Sequence, residues 1–471
     1  MESMNPGADA LALLPEILML AGAITALLAG SFLARERQWI SRILALGALA
    51  ASATAAAAAL AGTATSAYSG SYAIDAGTGA GRLVVAISAL LVIVLGTDEL
   101  RGTERESETY TLILLASLGA TVLSGAADLL VLIGAFLLAS IPLYALIGMG
   151  RTRAGAEAAL KTYLQGAFFG ILLMFGVAVL YAAVGTTSYA GLGPGLEHAA
   201  GALIGVGLVG VLAGLMFKAG AVPGHFWIPD AAEGAGTAAA AFATTVPKIG
   251  GLLAAYRLLD HMPGTIAWPL LVALLSAVTM TLGNLAAFSQ KNPRRLLGWS
   301  TVSQAGYLLM PVAVAGAVPL ALPSLLVYLP GYAAANLAAF AIIGAYPNRN
   351  QLRAYEGLST ARPWHAVTLV VALLSLVGTP PTGVFLAKLT IFSASWDGGF
   401  WWLTVIAAAN TVASLFYYLR WLAPAFRTAS RDSPNSGDFT PQPWPGSVAI
   451  AAACVSLAVG IGAGIIWDAF A

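Results

Sequence analysis

Long apolar runs separated by short polar stretches make up most of the chain, and no sustained alternation of single apolar and polar positions occurs. Runs of this kind read as bilayer-crossing helices, because a span needs ~20 apolar residues. Membrane barrels alternate residue by residue instead. About fourteen segments reach spanning length: 11–33, 39–62, 81–97, 109–125, 127–149, 159–184, 200–220, 232–256, 266–288, 296–315, 318–345, 364–394, 400–423 and 446–468. The seventh and twelfth are interrupted by proline. The pattern predicts an all-α polytopic membrane protein of about fourteen transmembrane helices.

The polar punctuation sets an orientation. Arg35, Arg37 and Arg42 lie between spans one and two; Arg101 and Arg105 follow span three; Arg151 and Arg153 follow span five. Lys291, Arg294 and Arg295 follow span nine, Arg349, Arg353 and Arg362 span eleven, and Arg420, Arg427 and Arg431 span thirteen. The loops of the other face hold little beyond Arg82 and Arg257. Lys and Arg collect in cytoplasmic loops, so both termini are expected outside the cell membrane. The segment 65–81, rich in Gly, Ser and Tyr, reads as an outer loop, and 425–445 as a cytoplasmic linker. No Lys or Arg precedes Arg35, so the first span is expected to stay rather than be cleaved as a signal peptide.

Composition narrows the function. The chain is 59% hydrophobic and 9% charged, against roughly 25% charged residues in soluble domains. That excludes a soluble enzyme, a nucleic-acid binder and a disordered protein. A net charge of +1 suggests no polyanionic partner. Cys454 is the only cysteine, which excludes intrachain disulfides, a Cys-ligated iron–sulfur cluster and a zinc site of paired cysteines. With no dinucleotide fingerprint, phosphate loop or haem-spaced histidine pair, redox chemistry and nucleotide hydrolysis are expected outside this chain.

The five lysines are Lys161, Lys218, Lys248, Lys291 and Lys388. Lys291 sits in a loop, Lys161 at the start of span six, and Lys218, Lys248 and Lys388 inside apolar spans. The surface cations are nearly all Arg, which is permanently charged, whereas a desolvated Lys can release its proton. A mid-membrane ionisable group costs at least ~2.5–3.5 kcal/mol on insertion scales, so three of them point to a use. The alternatives are snorkelling to an interface or a static ion pair. Lys218 is followed by Pro223, Gly224 and His225, and Lys388 is preceded by Gly378, Pro380 and Pro381. Proline breaks the helical ladder, and broken spans in two halves of a chain mark inverted-repeat transporters. Spans four to eight and nine to thirteen would form two inverted five-helix units with broken helices. This divides the chain into 1–108, 109–256, 257–423 and 424–471. His225 titrates near neutrality and could relay a proton between Lys218 and Lys248, or simply satisfy a helix-end carbonyl. Asp230 and Glu233 read as helix-start charges or the mouth of a path. Glu16, after Pro15, reads as a first-turn or inter-subunit residue.

These motifs resemble the subunit N family of proton-translocating NADH-quinone oxidoreductase, respiratory complex I. The resemblance runs from LLPEILML (13–20) through ADLLVLIGAFLLASIPLYAL (127–146), EAALKTYLQGAF (157–168) and FKAGAVPGHFWIPDAAEGAGTAAAAFATTVPKIGG (217–251). It continues through NLAAFSQKNPRRLLGWSTVSQAGYLLM (284–310) and VGTPPTGVFLAKL (377–389). It implies a row of proton-carrying residues: Lys218 central in the first half, Lys248 connecting, Lys388 terminal in the second half, and Lys161 as an additional lysine of span six. It implies a hetero-oligomer with other membrane subunits, in which NADH, FMN, iron–sulfur clusters and quinone are used elsewhere and this chain binds no cofactor. The family motif DLLVLFLGLELLSIPLY aligns without gaps from Asp128 to Tyr144 and puts Leu137 where the family has the glutamate that pairs with its central lysine. GAGTA also stands where the family usually has GAPTP. A subunit of a related membrane hydrogenase or cation/proton antiporter, and a structural paralogue that does not pump, are the alternatives.

Overall fold

A backbone in hydrocarbon must satisfy its own N–H and C=O groups, and the apolar runs do so as helices. The computed structural model describes residues 6–263, 266–428 and 439–462. Its main helices are α1 (Leu14–Phe32), α2 (Trp39–Leu60), α3 (Ala76–Leu95), α4 (Glu106–Gly125), α5 (Leu129–Gly148), α6 (Arg153–Val184), α7 (Gly201–Ala219) and α8 (Trp227–Gly234). There follow α9 (Thr237–Asp260), α10 (Trp268–Phe288), α11 (Pro293–Ala313), α12 (Ala321–Ala345), α13 (Pro363–Val377), α14 (Gly383–Asp397), α15 (Trp401–Ala425) and α16 (Pro443–Ile461). Among the described residues twelve helices are long and apolar enough to cross a membrane. The expected count of about fourteen adds two others. Ser300, Thr301, Ser303 and Gln304 make α11 less apolar, and the twelfth segment is split into α13 and α14. Residues 429–438 of the expected linker, Arg431 among them, and 463–468 of the last expected span lie outside the described residues.

Several expectations are corrected. Span seven is not interrupted: α7 is continuous, the break follows it, and the short α8 stands beyond. Span eight accordingly starts at Thr237 and not at 232. The outer loop 65–81 contains a hairpin, Thr65–Ala67 antiparallel to Tyr72–Ile74, and the first turns of α3. Asp75 caps that helix by accepting from the Thr78 N–H at 2.9 Å, a start signal hidden by the glycines that follow it. Arg82 and Arg257 are not loop residues. Arg82 lies fully buried in α3, where Nε and Nη2 donate to the two carboxylate oxygens of Glu16 at 2.7 and 2.8 Å. Glu16 also accepts from the Tyr72 hydroxyl at 2.8 Å, so it is a buried intrachain ion-pair residue. Arg257, in α9, forms a two-pronged pair with Asp75 at 2.7 and 2.8 Å. Burial pushes the Asp75 carboxyl up, but the Arg257 guanidinium outweighs it and holds the group below its usual value.

The middle of the bundle is α9, wholly enclosed, and α12, almost wholly so. Small residues allow this. A Cβ on Gly250 of α9 would come within 2.3 Å of the Ala120 carbonyl on α4, so only glycine permits that crossing.

The two breaks share a local pattern. Helix α7 ends on Gly220 (φ 73°) and α13 on Gly378 (φ 90°), both left-handed caps suited to glycine. Three residues later each has a proline, Pro223 and Pro381, joined by a cis peptide bond. Lys218 precedes its break and Lys388 follows its own, so the two lysines do not occupy equivalent positions.

Candidate functional site

Lys218 lies on the last turn of α7 and is 1% exposed. Its Nζ donates to Ser140 Oγ on α5 at 2.5 Å and stands 4.9 Å from the Phe136 ring centre. Its stem runs along α9, where a Cβ on Gly251 would fall 2.9 Å from Lys218 Cγ. Lys248, on α9 itself, follows Pro247. Its Nζ donates to the Thr301 carbonyl of α11 at 3.3 Å and lies 5.3 Å from the Tyr332 ring centre. Lys388 lies in α14. Its Nζ donates to the Val377 carbonyl at 2.8 Å and to Thr411 Oγ1 at 3.2 Å, with the Tyr307 ring centre 4.0 Å away. Val377 is the last residue of α13, so the lysine satisfies a carbonyl that the helix break leaves without an intrahelical partner.

The three ammonium groups therefore share one chemistry. Each is buried, meets neutral oxygens and faces an aromatic ring. Among the described residues none has a carboxylate within ion-pair distance. Buried cations normally pair with carboxylates, so this is an unusual and costly arrangement.

Sequence reasoning passed over the groups between Lys248 and Lys388. On α11, Ser300, Gln304 and Tyr307 recur at helical spacing and present one polar face. Ser300 Oγ is 2.5 Å from the Tyr418 hydroxyl, Gln304 accepts from Tyr328 at 2.7 Å, and Tyr307 accepts from Thr411 at 3.1 Å. Thr301 Oγ1 is 3.1 Å from the Tyr332 hydroxyl beside Lys248. The signal was legible: polar residues at i, i+4 and i+7 inside a span.

The other candidates are placed differently. His225 is buried in the break after α7, against Phe226 and Trp299. It bonds neither Lys218 nor Lys248. Lys161 is not in the buried row. It is nearly half exposed and pairs with Glu157 at 2.7 Å and Asp230 at 3.1 Å. Asp230, an acidic residue of the first turn of α8, and Glu233, near the end of that helix, both bind Arg295, at 2.8 and 2.9 Å. Leu137 is 37% exposed. The α5 residues that meet Lys218 are Phe136 and Ser140. Among the described residues no group of three or more His, Cys, Asp or Glu is placed to hold a metal ion.

Residues 126–414 match the family described as NADH:quinone oxidoreductase/Mrp antiporter, TM. The chain is 51% identical over 467 residues to NADH-quinone oxidoreductase subunit N of Mycobacterium sp. (strain JLS), covering 99% of this chain and 98% of that protein. It is 48% identical over 468 residues to NADH-quinone oxidoreductase subunit N 1 of Streptomyces griseus, with the same coverage. A chain of respiratory complex I from Thermus thermophilus superposes with a TM-score of 0.84 at 31% identity, over 97% of this chain and 99% of that one. A chain of the Mrp complex from Dietzia sp. shares the fold, with a TM-score of 0.84 at 21% identity over 98% of this chain and 96% of that one. The chain belongs to the NADH:quinone oxidoreductase/Mrp antiporter membrane family, within its NADH-quinone oxidoreductase subunit N group.

Proposed function

We propose that the chain is a proton-translocating membrane subunit of an NADH-quinone oxidoreductase. Quinone reduction in other subunits drives proton transfer past Lys218, Lys248 and Lys388. The observation that carries this reading is the row of buried lysines without carboxylate partners, two of them beside helix breaks. A lysine held by neutral oxygens alone can exist as ammonium or amine, and a charge elsewhere in the path can decide which. Arginine could not serve, because it does not release its proton. The hydroxyl and amide groups of α11 provide relay partners between Lys248 and Lys388.

In this reading residues 109–256 and 257–423 are two inverted five-helix units, supported by the shared Gly-x-x-Pro break. Both termini lie outside, supported by the basic loops. Lys161, with Asp230, Glu233 and Arg295, forms a charged rim at the cytoplasmic end of the first unit, and His225 lies behind it. The chain works within a hetero-oligomer with other membrane subunits, and NADH, FMN, iron–sulfur clusters and quinone are used by other subunits of the complex.

Lys388→Ala in the assembled complex lowers the rate of proton pumping through this chain about tenfold or more, as loss of a proton-transfer group does, and so lowers the protons moved per electron. Lys388→Arg does the same, because it keeps the charge and loses the exchangeable proton. Both are read as proton uptake against quinone reduction in vesicles, after assembly is checked on native gels. Normal stoichiometry in an assembled Lys388→Arg complex would refute the relay role.

A further inference from the structure

Outside the lysine row, one end of α15 carries a cavity of about 570 Å³ with a distinct composition. Four cations line it: Lys291 from the α10–α11 turn, Arg353 from the segment after α12, and Arg420 and Arg427 from the end of α15. Among the described residues no carboxylate lines it and none lies within ion-pair distance of the four. Arg420 donates to the carbonyls of Phe288 and Gln290, but these are neutral partners and leave its charge in place. The C-terminal dipole ends of α10 and α15 contribute about half a negative charge each, well short of four cations.

The apolar part of the lining is as informative. Phe416 and Leu419 form one wall of the cavity. They are exposed and continue along α15 through Val412, at i, i+4 and i+7. This stripe runs from the cation cluster toward the middle of the membrane-crossing helix. A free anion would use the cations and leave the stripe uncovered. A molecule with an anionic head and acyl tails matches both.

We propose that this cavity binds the phosphate headgroup of an anionic membrane phospholipid, with its tails along Val412, Phe416 and Leu419. Basic pockets between helices at a membrane boundary suit such headgroups. The bound lipid ties together three pieces of chain far apart in sequence: the α10–α11 turn, the segment after α12 and the end of α15.

The test uses the purified full chain in detergent, with phosphatidylglycerol, phosphatidylcholine or inorganic phosphate added. Native mass spectrometry counts retained lipid and thermal melting reports stabilisation. Phosphatidylglycerol is expected to be retained and to raise the melting temperature, whereas phosphatidylcholine and inorganic phosphate are not. Lys291→Gln with Arg353→Gln keeps the carbonyl bonds of Arg420 and should lower phosphatidylglycerol affinity about thirtyfold, roughly fivefold per cation removed. Arg427→Gln should lower it roughly fivefold, and Arg427→Lys should restore most of that loss. Equal retention of phosphatidylcholine, equal stabilisation by inorganic phosphate, or unchanged retention in the folded Lys291→Gln/Arg353→Gln variant overturns the proposal. So does finding no lipid retained by the parent, which would leave an acidic partner protein as the occupant.

Discussion

At the scale of single residues, Leu137 decides how the first half of the path is understood. Phe136 and Ser140 face Lys218, and position 137 lies roughly 60° round the helix from Ser140, at about 100° per residue. A glutamate there would sit on the flank of the face that meets Lys218. In this chain Ser140 Oγ takes the place of a counter-charge. A hydroxyl stabilises an ammonium through one hydrogen bond and contributes no opposite charge. Leu137→Glu should therefore make proton transfer more dependent on Lys218. The measurement is protons per electron in the parent, Leu137→Glu, Lys218→Ala and the double variant. Lys218→Ala is expected to cost more in the Leu137→Glu background, by about 1 kcal/mol of coupling or more. Equal sensitivity in both backgrounds would show that Ser140 already suffices as partner.

At the scale of elements, the buried pair Glu16–Arg82 holds α1 against α3, with Tyr72 of the hairpin closing the group. Arg82 Nη1 has no partner in this burial, so Glu16 is its essential counter-charge. Removing one member of a buried pair strands the other charge, at a cost of about 3–5 kcal/mol. Glu16→Gln should destabilise the chain by that order, read as denaturant or thermal unfolding in detergent. The double variant Glu16→Gln/Arg82→Gln should recover part of the loss, because no charge is then stranded. A shift below about 1 kcal/mol in the single variant would mean that water reaches the arginine. The pair was invisible in the sequence because its members are far apart along the chain, and Arg82 read as a loop cation beside glycines.

At the scale of the whole molecule, the basic residues cluster at alternate ends of the spans, which is an orientation statement about all of them together. Reporter fusions at 290–295 and within 425–445 should both report cytoplasm, and a fusion in the hairpin at 68–71 the opposite face. An outside signal from either of the first two would sink the proposed topology. The Asp75–Arg257 and Glu16–Arg82 pairs explain why the other face carries so little free positive charge: its two arginines are neutralised inside the bundle.

The helical class, the general run of the spans and the burial of Lys218, Lys248 and Lys388 were legible from the chain alone, because hydropathy over ~20 residues is a local property and an ionisable group in an apolar run is conspicuous. The position of the first break was displaced, since Pro223, Pro229 and the short α8 sit between two helices that composition alone merges. What each lysine touches was decided only by folding. Ser140, Thr301 and Thr411 come from other helices, and Val377 from across a break. Which helix faces meet depends on close contacts such as Gly250 against Ala120 that no single segment encodes. Local polarity identifies a residue that must be accommodated, and the tertiary packing determines whether a carboxylate, a hydroxyl or a carbonyl meets it.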